Sequence, residues 1–308
     1  MKLLVFNDAH IRGTTPKSRL DDFPATLWDK FQQITQIIAE RNIEVVLNGG
    51  DLFDTPDLAR SIINKYLELF VYWNIPIYSI IGSHDKFGYN NSTLPRTALG
   101  TLIAAGTVEI IDEAKYIGPN TQVAGVSHTY DLDEDLNDYF RTKLVPGNYM
   151  IQLCHGMVVD KQWPYGKHTL ISDIKTEADI LIGAHYHPGF KPVILGDTTF
   201  INIGALSRVE RTPRLYKPGV LYINTDVPGQ EVWEYIPLIS LDDDKVFIEK
   251  EEKPQTTAEV NNFIETLKQR IDKFEPGNLK ELVITVGKEG KYSQEVIEKG
   301  LKYIENGN

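Results

Sequence analysis

The residues that could do chemistry sit at the ends of short apolar runs. In order these are Leu3–His10 (LLVFNDAH), Val45–Asp54 (VVLNGGDLFD), Ile77–Asp85 (IYSIIGSHD), Met150–Gly156 (MIQLCHG), Ile180–His187 (ILIGAHYH) and Thr199–Arg208 (TFINIGALSR). Asp8 and His10 are two residues apart, so in an extended backbone they point the same way, and His185 and His187 repeat the spacing. Mixed carboxylate and imidazole donors suit Mn²⁺, Fe²⁺ or Zn²⁺ better than Ca²⁺ or Mg²⁺, which prefer oxygen shells. Asp51 follows Gly49 and Gly50, which let the backbone turn tightly and approach a ligand. A carboxylate so placed can bridge two cations about 3.5–4 Å apart, which lower the pKa of a water between them and clamp the oxygens of an in-line displacement at phosphorus. Each fragment alone is weak, because an isolated strand-end Asp is usually a helix cap or a turn former. The joint order D-x-H, G-D-x-x-D, G-x-H-D, H-G, H-x-H, each after a strand-like run, carries the reading.

The elements that must position these groups alternate between strand and helix, the pattern of α/β layering, in which ligands gather at the carboxyl ends of strands. Helical spacing is expected over Thr26–Arg41 (Leu27, Phe31, Ile34, Ile37, Ile38), over Asp57–Trp73 (Leu58, Ile62, Tyr66, Phe70) and near Pro95–Ala105. Strands are expected at Val45–Leu47 and Ile77–Ile81. From about Val108 strands follow one another without helices, as for a second sheet, and Asp131–Phe140 is an acidic, loop-rich excursion. Composition shifts near Leu238. We expect a strand at Val246–Ile248, a helix carrying Val260, Phe263, Ile264, Leu267 and Ile271, a strand at Leu282–Val286, and a closing helix over Ser293–Glu305. The expected organisation is a two-sheet α/β sandwich flanked by helices over residues 1–238 and a small α+β cap over 239–308.

At 308 residues the chain can bury a substantial core. The single cysteine, Cys154, excludes an internal disulfide and suggests a reducing compartment. No signal peptide or run of the roughly 20 apolar residues of a membrane helix is seen, so the expectation is a cytoplasmic protein with no membrane partner. A net charge of −11 argues against coating DNA by bulk electrostatics, but not against a nuclease whose cations and local basic residues supply the field.

The ordered motifs resemble the calcineurin-like metallophosphoesterase superfamily, whose signature is D-x-H, G-D, G-N-H-[DE], H and G-H-x-H. Within it, GGDLFD, GSHD and INIGALSR resemble the SbcD-like branch of repair nucleases and related phage recombination nucleases. The likeness covers residues 1 to about 240. It implies a metallophosphoesterase sandwich holding two divalent ions, expected to be Mn²⁺. Asp8, His10, Asp51 and His187 would hold the first ion; Asp51, His155, His185 and position 83 the second. His84 would be the general acid that protonates the leaving 3′ oxygen. The implied activity is Mn²⁺-dependent exo- or endonucleolytic hydrolysis of DNA in repair, recombination or phage replication, with an SbcC-like ATPase partner and a homodimer. Where the family has Asn, this chain has Ser83, a shorter and poorer oxygen donor. Alternatives are a phosphodiesterase or phosphatase acting on a small phosphoester, and a DNA-binding subunit weakened by Ser83.

Asp54 and Asp85 follow the ligands and are read either as acceptors for metal-bound imidazoles or as helix caps. His128 and His168 lie outside the motifs and are read as structural or surface histidines, and Cys154 as core. Arg208, Arg211, Arg214 and Lys217 form the dense basic stretch, a phosphate-backbone contact on the family reading or a solvated turn.

Overall fold

In the computed structural model, residues 1–163, 167–211, 214–226, 232–248, 262–263, 265–267, 279–290, 297 and 301 are described. The chain forms two compact units, Met1–Gln162 with Lys167–Ile248, and Trp163–Gly166 with Glu249–Asn308.

The first unit is built on two six-stranded sheets. In one, β1 (Lys2–Phe6), β2 (Val45–Asn48), β3 (Ile77–Ser79) and β4 (Glu109–Ile110) run parallel, and β13 (Gly219–Asn224) and β14 (Trp233–Pro237) extend the β1 edge antiparallel. In the other, β6 (Thr121–Val126), β7 (Tyr149–Cys154), β10 (Ile180–Gly183) and β12 (Thr198–Asn202) run parallel between the antiparallel edges β5 (Lys115–Gly118) and β11 (Phe190–Leu195). A short pair, β8 (Val158–Val159) and β9 (Thr169–Leu170), stands apart.

Strand alternation sorts the core into layers. Leu3, Val5, Val45 and Leu47 pack with Ile151, Leu153, Ile180 and Ile182 of the second sheet. Leu4, Phe6 and Val46 face the other way, onto Leu27, Phe31 and Ile34 of helix α1 (Phe23–Arg41) and Ile63, Tyr66 and Phe70 of α2 (Arg60–Trp73). Helix α1 starts where Asp22 accepts from the Ala25 N–H (3.1 Å) and stops at the left-handed Asn42. The expected third helix is split: a 3₁₀ segment, Asn91–Arg96, contains Pro95, and Thr97 then caps α3 (Ala98–Ala104) by accepting from Gly100.

One expected strand is shortened and another is helical. At Val246–Ile248 the short helix α4 (Asp243–Val246) takes Val246, while Phe247 is extended (φ −114°, ψ 144°) in a single antiparallel bridge with Arg19. The Leu20 N–H on Val246 O (2.8 Å) and the Ile248 N–H on Ser18 O (3.0 Å) flank that bridge. Phe247 is fully buried against the Arg19 guanidinium, and this is why the first unit runs beyond the expected seam at 238. Leu282–Val286 lies inside α5 (Leu279–Glu289). Leu282, Val283 and Val286 bury together with Phe263 and Leu267, an i, i+1, i+4 pattern that overrides the β-branched composition. Within the expected helix, residues 262–263 and 265–267 are helical, and in the closing one residues 297 and 301 are; the rest of those two expectations, Val260, Ile264 and Ile271 included, lies outside the described residues.

Candidate metal centre

Hydrogen bonds past the strand ends knit both sheets together. Past β1 and β2 the loops continue their pairing: Asp8 N–H donates to Gly50 O (3.2 Å), His10 N–H to Asp51 O (3.0 Å) and Ile11 N–H to Leu52 O (2.9 Å). Between β7 and β10, Ala184 N–H donates to Cys154 O (2.9 Å), so His155 and His185 emerge at the same edge. The sheets then join through His185 N–H, which reaches both Asp8 carboxylate oxygens (3.2 and 3.1 Å), and Asn7 Nδ2, which donates to Gly183 O (3.0 Å).

Asp8 and His10 do not continue strand β1 in the extended form that their spacing predicts. Their φ angles are +50° and +45°, and Asp51 (+48°) and His185 (+64°) are left-handed as well. Left-handed non-glycine residues are uncommon, although Asp and His are among the more tolerant. Here the loop hydrogen bonds hold them. Two glycines are needed for close approach. Gly50 has φ +93°, and a Cβ on it would stand 2.5 Å from His155 Nδ1; a Cβ on Gly82 would stand 2.1 Å from Asp51 Oδ1.

Three donor groups result, each with its donor atoms within 4.8 Å: Asp8, His10 and His187; Asp51, His155 and His185; and His10, Asp51 and His84. Asp51 belongs to two of them, between the other donors. His155 Nδ1–H donates to Gly49 O (2.7 Å), which turns Nε2 toward Asp51 Oδ2 at 3.2 Å. That Nε2 is buried without a hydrogen-bond partner. His10 Nε2 faces His187 Nε2 at 3.1 Å. Separations near 3 Å between converging donors are what two ligands of one cation show when each bond is about 2.0–2.2 Å. The residues therefore fit a divalent-metal centre. Ser83 Oγ donates to Asp51 Oδ2 (3.3 Å), and the His84 N–H donates to Asp51 Oδ1 (2.7 Å).

Protonation follows burial and neighbours. Burial pushes Asp8 up to about 7, against the pull of His155. Burial would also raise Asp51, but the neighbouring His155 charge holds it well below the ordinary value, and Asp51 in turn overcomes the effect of burial and lifts His155 to about 9. Burial lowers His10 and His185 to about 4 and His187 well below its usual value, so these three present neutral imidazoles, the form that ligates.

The supporting acids divide their work. Asp54 Oδ1 faces His10 Nδ1 at 3.6 Å while Oδ2 pairs with Arg12 (2.9 Å), and the Asp54 carbonyl accepts from His84 Nδ1 (2.7 Å). Asp85 touches no imidazole. It accepts the backbone N–H groups of Asp51 (2.9 Å), Gly82 (2.9 Å) and Phe53 (3.3 Å), clamping the β2 loop to the β3 loop. Burial and the nearby Asp51 raise its pKa to about 6, which still leaves a carboxylate at neutral pH for those three donors.

The basic stretch does not act as one surface. Arg208 is buried, its guanidinium bound by Asp243 and the Leu241 carbonyl (2.6 Å), so it is not a free phosphate contact. Arg214 donates to the carbonyls of Ala205 (2.9 Å) and Ser207 (2.8 Å), bracing the loop that holds Asp8, yet it also lines a cleft of about 230 Å³ with His10, Asp54, His84 and His187. Arg211 and Lys217 are exposed. The residue that sequence reasoning missed is His128. Its ring lies 5.7 Å from that of His185 and 6.1 Å from that of His155. The signal was available, since GVSH also ends a strand, β6. His168 follows the undescribed 164–166 and is in none of the three donor groups.

A model of the calcineurin-like phosphoesterase family matches residues 1–190, the span that holds every donor above. The chain belongs to that family. The phosphoesterase is similar to the DNA double-strand break repair protein Mre11 of Sulfolobus acidocaldarius, 29% identical over 147 residues, which are 44% of this chain and 37% of that protein. It is also similar to Mre11 of Sulfurisphaera tokodaii, 22% identical over 313 residues, 99% of this chain and 78% of that protein. The first of these alignments spans little more than a third of its relative's length. Among solved structures, a dimetal phosphatase from Danio rerio aligns at 11% identity and a TM-score of 0.45, over 72% of this phosphoesterase and 95% of that chain. Among the described residues, no helix of the phosphoesterase is long and apolar enough to cross a membrane.

Proposed function

We propose that this phosphoesterase is a Mn²⁺-dependent DNA nuclease that hydrolyses phosphodiester bonds in repair, recombination or phage replication. The observation that carries the reading is the position of Asp51, shared between two donor groups at the joined ends of two sheets. Asp8, His10, Asp51 and His187 would hold one ion, and Asp51, His155 and His185, with Ser83 at the rim, the other. Bound there, the ions would supply Lewis acidity toward the phosphoryl oxygens and a more acidic water. The chain's own residues do the rest. Asp54 O fixes Nδ1–H of His84, so the protonated ring would offer its Nε2–H to the departing 3′ oxygen as the P–O bond breaks, leaving the Nδ1–H tautomer. Arg214 presents positive charge on the same cleft. The names of the Mre11 relatives favour DNA over a small phosphoester, and we extend from the branch resemblance an SbcC-like ATPase partner and a homodimer, for which Val71 and Tyr72 leave an exposed apolar face on α2. The first unit would carry the chemistry and the second would serve as an accessory cap.

The test compares cleavage of linear DNA with cleavage of a generic aryl phosphodiester in Mn²⁺, for the wild type and Asp51→Asn. DNA cleavage lost in Asp51→Asn supports the reading. Cleavage of the aryl ester with no action on DNA would replace it with a small-phosphoester activity.

A further inference from the structure

A ladder of aromatic rings climbs from the candidate metal centre to solvent. The His185 ring is followed at 5.7 Å by His128, at 5.5 Å by Tyr89, and at 5.9 Å by Tyr130. Exposure rises along it: His128 is partly buried, Tyr89 is 54% exposed and Tyr130 77%. Two large aromatic faces held in water beside a reaction centre are not explained by core packing.

The ladder is built rather than incidental. Tyr89 sits in a tight turn, Phe87–Asn90, closed by the Asn90 N–H on the Phe87 carbonyl (3.1 Å), with φ of +55° at Gly88 and +56° at Tyr89. Positive φ at both central positions is the type I′ signature, normally given to Gly, Asn or Asp. A tyrosine there is strained and persists only where its surroundings over-determine it. They do. Buried Lys86 donates to Asn91 Oδ1 (2.6 Å) and to the His128 carbonyl, stapling the turn to the His128 segment. The Phe87 N–H is held by Thr93 Oγ1 (3.0 Å).

We propose that Tyr89 and Tyr130, continued inward by His128, form a stacking platform for the bases of an unpaired DNA strand beside the scissile phosphate. The proposal rests on the nuclease reading and specifies the substrate as single-stranded or frayed DNA. Three observations choose this occupant. The Tyr89 and Tyr130 rings are largely exposed and lie at 35° and 64° to their inner neighbours, which leaves aromatic surface that unpaired bases can stack on and duplex bases, stacked on each other, cannot. The ladder is continuous with the metal donors, so a strand whose phosphate lies at the centre has its next bases at the rungs. The net charge of −11 deprives the protein of bulk attraction for phosphate, so affinity must come from local contacts such as stacking. Lys86, next to the turn in sequence, is committed to internal bonds and is not a backbone contact.

The experiment uses the full-length protein in Mn²⁺ with two oligomers of equal length and charge: oligo(dT), and oligo(dT) whose bases beside the cleaved bond are replaced by abasic residues. The wild type should cleave oligo(dT) with a KM lower by on the order of tenfold or more, as expected from the value of one base–aromatic stack. Tyr89→Gly, which suits the positive φ and preserves the turn, should erase that preference by raising KM for oligo(dT) with little change in kcat. Tyr89→Phe should retain it, and Tyr130→Ala should weaken it. Equal KM for both oligomers in the wild type, or a preference that survives Tyr89→Gly, overturns the platform and leaves the nuclease reading intact. A wild type that cleaves neither oligomer but does cleave an aryl phosphodiester overturns the nuclease reading and the platform with it.

Discussion

Lys30 offers a test of the structure that does not depend on its chemistry. It lies on the core face of α1, between Leu27 and Ile34, and is only 2% exposed. Burial, and then repulsion from Arg208, Arg19 and Arg214, lower its pKa from 10.5 to about 7, with Asp21 opposing weakly. Below about pH 7 the folded protein must keep the buried ammonium, and the full penalty applies. Between pH 7 and 10.5 the unfolded chain binds a proton that the folded one does not, so stability rises with pH across that window. At about 1.4 kcal/mol per tenfold in proton affinity, the penalty is at most roughly 5 kcal/mol. Lys30→Met keeps the volume and the helix propensity while removing the charge. We expect it to raise the unfolding free energy by about 2–5 kcal/mol at pH 7, with a gain that shrinks toward zero as pH approaches 10.5. Urea denaturation of both proteins at pH 7 and pH 10 measures this. Equal stabilities at pH 7, or a gain of the same size at both pH values, would refute the reasoning, since either would mean that Lys30 keeps a normal amine in the fold.

Three further outcomes are expected. His84→Ala should lower the cleavage rate by roughly 10²–10⁴-fold while calorimetric Mn²⁺ binding stays intact; loss of metal instead would make His84 a ligand. Ser83→Asn should restore an amide oxygen at the second ion and raise Mn²⁺ affinity and activity by about tenfold or more, and two full sites in the wild type with no gain on restoring Asn would sink that idea. Asp85→Asn removes the charge that accepts three backbone N–H groups, bonds worth about 1.5–3 kcal/mol each to a charged acceptor. It should destabilise the protein by a few kcal/mol and weaken Mn²⁺ binding, and thermal melts together with titration would expose an unchanged site.

The sequence made the site legible further than its geometry. Apolar runs ending in Asp or His mark parallel strands that stop at a common edge, so Asp8, His10, Asp51, His84, His155, His185 and His187 could be selected without coordinates. What spacing could not convey was the backbone: an extended pairing was expected at Asp8 and His10, and the loops instead turn left-handed under hydrogen bonds from a strand forty residues away. Arg208 read as surface because a charge run looks the same whether it faces water or Asp243. Leu282–Val286 read as strand because a β-branched run shows its propensity but not its partners, and Phe263 and Leu267 decide the outcome. Asp85 read either as an imidazole acceptor or as a helix cap, and its partners are instead the backbone amides of two loops, which leave no trace in a side-chain pattern.

The left-handed quartet Asp8, His10, Asp51 and His185 also bears on how such an enzyme can change under selection. Glycine at each position would relieve a backbone conformation that L side chains resist, so a lineage or a laboratory screen rewarded only for toughness has a short downhill route. That route begins at four residues the proposed metal centre depends on, and on that reading its product would be a sturdier protein without a reaction. Thermostabilised descendants of this chain should therefore be chosen for turnover and for heat resistance together, because at these four positions the two demands point in opposite directions.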